Sequence, residues 1–171
     1  MMDLSPLGLF HTLISLVAIS SGVIALVTEK HLLPTNRVGK VYVVSTLVTA
    51  ITALGIARHG VIGPGHVLAG LTLMELGAAW LAMRGTWFGA WSPLVASSTL
   101  SATFLIHLLT GSSETLTRLP VSSPLLASAD GLGLRLLHLA LVAVYVVSVA
   151  RRARSHRLRL ASSAEAAGLP A

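Results

Sequence analysis

Five stretches of this chain are long, apolar and almost free of charge, and nothing else in the sequence restricts the fold as much. They cover residues of about 6–28, 41–57, 63–83, 92–110 and 131–150. A helix rises 1.5 Å per residue, so about 20 residues cross a hydrocarbon layer about 30 Å thick. In lipid each backbone N–H and C=O must be paired internally, which a helix achieves within one segment. The expected fold class is therefore all-α: a polytopic transmembrane helical bundle of five spans. One domain covers 1–150, and a basic cytoplasmic tail covers 151–171. Composition agrees, since only 11% of the residues are charged, with a mean hydropathy of +0.82. An ordinary soluble domain has about a quarter of its residues charged.

Local signals set the ends of the spans. Ser5 and Pro6 form a cap-and-proline start for the first, and Ser92 and Pro93 repeat it for the fourth. Lys30, His31, Arg37 and Lys40 make a basic loop, and Arg58, His59 and Gly60 end the second span. Gly63 and Pro64 open the third, while Asp130 is the expected cap of the fifth. Residues 111–130 (GSSETLTRLPVSSPLLASAD) read as a loop, given their prolines and serines. Trp80, Trp87 and Trp91 cluster as an interfacial aromatic belt would.

An odd number of spans puts the two ends of the chain on opposite sides. Placing the first loop, the Arg84 loop and the tail in the cytoplasm leaves only Arg58, Arg118 and Arg135 toward the outside. The positive-inside rule then predicts an inner (plasma) membrane protein with its N-terminus outside and its C-terminus cytoplasmic. The opening MMDLSPLGLF lacks a basic leader region, so the first span is expected to be retained. A net charge of +6 would suit nucleic acid, but Arg151, Arg152, Arg154, Arg157 and Arg159 directly succeed the last span. Arginine there is a topology signal and an attraction to anionic lipid, so the expected partners are the lipid bilayer and other membrane subunits, with no nucleic acid.

Chemistry must come from few residue types. With 0 cysteines there is no disulfide, thiolate metal site, iron–sulfur cluster or covalently attached haem. The alternation of spans places His11, His66, His107 and His138 in the outer half of the membrane. Four imidazoles at a common depth suit a bis-histidine haem b, with Arg135 beside a propionate, or a copper or zinc ion. Each taken singly equally suits a helix-end histidine bonded to a carbonyl or water. His31 and His59 belong at water interfaces. No second ligand pair exists near the inner face, so this set could not carry electrons across the membrane.

Glu75 is the one acidic side chain placed at membrane depth. An isolated carboxylate there costs several kcal/mol when charged, so it is either an acid hydrogen-bonded between helices or a proton or cation relay. On the third span His66, Gly70, Leu73 and Gly77 share a face where a neighbouring backbone could approach, with Glu75 roughly opposite. Tyr42, Tyr145 and the Ser45, Thr49, Thr52 stripe are read as packing residues, and Met74 as a filler.

Three segments, FHTLISLVAISSGVIAL (10–26), NRVGKVYV (36–43) and GPGHVLAGLTL (63–73), with a weaker echo in RLPVSSPLLA (118–127), resemble a family of small bacterial membrane proteins known only as a domain of unknown function. The resemblance covers the first half and carries His11, Gly39, Tyr42 and His66. By placement of its histidines it is also distantly similar to four-helix membrane b-type cytochromes, which implies haem by analogy. The family pattern has His-Arg where this chain has Asn36 and Arg37, so an inner ligand is missing here.

Three function classes fit these residues. One is a redox-associated protein holding one haem b or a metal ion through His11, His66, His107 and His138. Another is a non-catalytic accessory or assembly subunit of a larger membrane complex. The third is a small proton-coupled transporter using Glu75. No catalytic triad, paired carboxylates, His-Glu-x-x-His or nucleotide loop occurs, so the chain is not expected to be an enzyme by itself.

Overall fold

The computed structural model describes residues 5–56, 63–85, 87–126, 128 and 130–166, with no side chain described at 164. Its helices are α1 (Pro6–Thr28), α2 (Arg37–Leu54), α3 (Pro64–Met83), α4 (Ser92–Arg118) and α5 (Leu132–Ala166), and a 3-10 turn at Gly89–Trp91 precedes α4. All five are long and apolar enough to cross a membrane. The chain is an all-α multi-pass bundle.

Small residues and buried hydroxyls set how the helices meet. α1 packs on α2, α2 on α3, α3 on α4, and α4 returns to α1, so these four close into a ring. Its centre is built from Ala25, Leu32, Tyr42, Leu76, Ala79, Leu100 and Phe104. The Tyr42 hydroxyl lies 2.6 Å from Thr103 Oγ1, and the Tyr42 ring meets Phe104 edge-on at 6.1 Å. A Cβ at Gly22 would stand 2.6 Å from the Phe104 ring and 3.1 Å from Tyr42, so α1 lacks a side chain where both aromatics press on it. Gly39 does the same for the first loop: its Cβ would overlap the Leu33 carbonyl.

α5 stands outside the ring against α4. Its 35 residues at 1.5 Å each make a rod about 52 Å long, so about 20 Å of it continues past a hydrocarbon layer about 30 Å thick. The basic stretch after residue 150, expected as a tail, is helical to Ala166 and continuous with the last span, in keeping with the good helix propensity of arginine and alanine.

Three other expectations change. Residues 111–118 are the end of α4, and the chain leaves the helix only after Arg118. Their polar side chains fold onto the helix itself: Ser113 Oγ donates to Leu109 O at 2.8 Å, Thr117 Oγ1 to Ser113 O at 2.6 Å, and Arg118 pairs with Glu114 at 2.7 Å. Asp130 does not cap α5. The Arg135 N–H bonds Gly131 O, which puts Gly131 in the capping place, and the Asp130 carboxylate stands 4.0 Å from the Arg135 guanidinium. The second helix begins at Arg37, capped by Asn36 Oδ1, which accepts from the Gly39 N–H at 2.8 Å. Arg58, His59 and Gly60, expected to end that span, lie outside the described residues.

Candidate functional site

Each of the four histidines has a partner within the chain. His11, early in α1, places Nδ1 3.0 Å from Thr52 Oγ1 near the end of α2. The Thr52 hydroxyl also lies 2.9 Å from the Val48 carbonyl, its natural acceptor, so the imidazole N–H is the donor toward Thr52. His107, buried on α4, sets Nε2 3.2 Å from Thr46 Oγ1 on α2. His138 on α5 has Nε2 3.2 Å from Ser112 Oγ and 3.4 Å from Ser113 Oγ on α4. His66 turns back on its own helix, where Nδ1 accepts the Gly63 N–H at 3.2 Å and closes the first turn of α3.

The common depth inferred from alternating spans does not become a common centre. His11 and His107 are within electrostatic reach of one another, yet both rings are directed to threonines of α2. His138 lies in a shallow apolar groove with Arg135, Leu109, Leu139 and Val142. Among the described residues no three His, Asp or Glu side chains come together so as to hold a metal ion. Three of the four are interhelical ties, α1 to α2, α4 to α2 and α5 to α4, and the fourth is a cap. Hydroxyls of neighbouring helices draw three of the rings their own way, and a backbone N–H of its own first turn draws His66.

Glu75 differs. It is half-buried on α3, and among the described residues it makes no hydrogen bond or ion pair. Tyr145 on α5 is its electrostatic neighbour. Glycines 70 and 77 have no atom within 4 Å of a built Cβ, so the close approach expected on that face is not made within the chain. Met74, beside Glu75, is 72% exposed and fills no core.

A polar seam between α4 and α5 has no counterpart in the expectations from sequence. Beyond His138 it continues with the Tyr145 hydroxyl 3.4 Å from Ser98 O, and with Arg152 Nη1 3.3 Å from Ser97 O and 3.1 Å from Ser101 Oγ. At its end His156 Nε2 lies 2.8 Å from Ala90 O. Arg152 therefore reaches back along its helix toward the bundle instead of outward to water. The serine-rich run at 97–101 is the signal in the sequence that points to it.

No family model, curated protein or solved structure matches this chain.

Proposed function

We propose that this protein is a non-catalytic accessory subunit of a larger complex in the bacterial plasma membrane. The observation that carries this reading is Glu75, a carboxylate at membrane depth with no partner among the described residues, on a helix whose other face carries Gly70 and Gly77 in open space. A charge at the membrane centre costs about 3 kcal/mol, and a donor on a neighbouring helix removes most of that cost. Gly70 and Gly77, roughly opposite Glu75, leave the other face of α3 open to close approach by a second helix.

The haem or metal reading draws less support, because the four imidazoles are committed to separate ties. The carrier reading would need a polar route to Glu75 from both sides. Between His138 and Tyr145 the α4–α5 groove is lined by Leu109, Leu139 and Val142.

A photo-crosslinking residue at Met74, which is 72% exposed beside Glu75, tests the proposal in native membranes. One defined membrane protein should be captured in stoichiometric yield. Glu75→Leu should cut that yield about tenfold, and Glu75→Gln, which keeps hydrogen-bonding atoms, should cut it less. Capture of lipid alone, or the same yield from all three chains, would remove Glu75 as the docking determinant.

A further inference from the structure

One end of the bundle gathers nearly all of the positive charge. The antiparallel course brings together the end of α1, the start of α2, the end of α3, the start of α4 and the extension of α5, and with them Lys30, Arg37, Lys40, Arg84 and the arginines from 151 onward. The two ion pairs among the described residues, Glu114–Arg118 and Asp130–Arg135, both lie at the opposite end. Glu29 and Glu165 lie at this end too, but among the described residues neither forms an ion pair with these cations, which outnumber them nine to two.

Two of them are held in a particular way. The Arg84 guanidinium lies 4.1 Å from the centroid of the Trp80 ring, and Arg157 lies 5.8 Å from that of Trp91. Trp91 is also in ring contact with His156, at 5.1 Å between centroids, which fastens the α5 extension to the turn before α4. A guanidinium close over an indole, as Arg84 is over Trp80, turns its flat face to the ring and leaves its N–H donors in its own plane for other partners. Those donors match two oxygens of one phosphate. Tryptophans settle at the head-group level, and Trp80 is 50% exposed and Trp91 38% exposed, so both indoles keep surface for lipid.

We infer that the two arginine–indole pairs at this end of the bundle, Arg84 with Trp80 at the end of α3 and Arg157 with Trp91 where the α5 extension meets the 3-10 turn, bind head groups of anionic phospholipid. Each arginine engages a lipid phosphate, while the tryptophan it lies over runs along the ester and upper acyl region. A zwitterionic lipid carries its own cation and gains less from an unneutralised arginine cluster. Both pairs are independent of any partner at Glu75, which lies on the middle of α3.

The test uses full-length protein exchanged into mixed bilayers of phosphatidylglycerol and phosphatidylcholine. Lipid retained after extraction is counted by native mass spectrometry. Wild type should retain phosphatidylglycerol over phosphatidylcholine by about tenfold, the scale of one to two interfacial arginine contacts. Arg84→Gln with Arg157→Gln should bring that ratio to about 1, whereas Arg151→Gln with Arg159→Gln, which removes the same charge from other faces of the helix, should leave it nearly unchanged. Equal losses in the two double variants would reduce the effect to net charge and overturn the inference. A measurement on unaltered protein guards against misfolded variants: brominated phosphatidylglycerol should quench the tryptophan fluorescence more than brominated phosphatidylcholine at equal mole fraction. Equal quenching, or displacement of the lipid by millimolar inorganic phosphate, would also overturn it.

Discussion

At the scale of single residues, backbone approach decides more than chemistry does. Gly22 admits Phe104 and Tyr42 to the α1 surface, with a Cβ position only 2.6 Å from the Phe104 ring. Gly22→Val should therefore force a ring shift and cost about 1–3 kcal/mol, lowering the thermal midpoint in detergent. Gly111, also on a bundle helix, would bring its Cβ to 3.5 Å from Ile19, an ordinary contact. Gly111→Ala should leave the midpoint unchanged or raise it, because alanine favours a helix by up to about 1 kcal/mol over glycine. A similar fall in both variants would mean that any side chain added between the bundle helices carries the cost, not the contact with Phe104 and Tyr42 in particular. The histidines teach the same lesson about legibility. Their depth can be read from alternating spans, because rise per residue is regular. Their ring directions cannot, since those of His11, His107 and His138 depend on which hydroxyl a neighbouring helix brings within 3.2 Å, as Thr52 and Thr46 do.

At the scale of elements, cap-and-proline signals and apolar length suffice to place α1 and α3, and Pro93 with apolar length places the start of α4, where Trp91 and not Ser92 takes the N-cap position. Sequence and structure part where polar residues continue a helix. Ser112, Ser113 and Thr117 look like loop residues in water, but in α4 their hydroxyls bond carbonyls three or four positions back, which hides their polarity. Charge alone points to a tail for the arginines after Ala150, yet arginine is a good helix former and nothing there breaks α5. That continuation matters because α5 is held at its far half by Arg152, bonded to Ser97 O and Ser101 Oγ. Arg152→Met keeps the aliphatic stem and removes the donors. Interhelical bonds of this type are worth about 0.6–2 kcal/mol, so amide exchange along residues 140–150 should speed up by about 3- to 30-fold, with α1 and α2 unaffected. Unchanged exchange in α5 would show that apolar contact with α4 suffices to hold it.

At the scale of the whole molecule, the separation of charge between the two ends carries a statement about orientation. Nine Lys and Arg residues of the chain's 12 collect at the end that includes the α5 extension. Positive charge close to the spans is retained on the cytoplasmic side during insertion, which argues for a cytoplasmic C-terminus and an N-terminus on the other face. The sequence contains 0 cysteines, so single cysteines can be introduced without background. A cysteine at Ser162, on the exposed end of α5, should resist a membrane-impermeant maleimide in intact cells and react after lysis; one at Val121, 80% exposed in the α4–α5 connection, should react in intact cells. The reverse pattern would turn the molecule over. The arginine–tryptophan cluster would then face the outer leaflet, and the uneven distribution of cations would need a cause other than retention during insertion. The expected pattern instead lets one physical cause, attraction between clustered cations and the charged inner leaflet, account for both the orientation of the bundle and the place where its lipid-binding end lies.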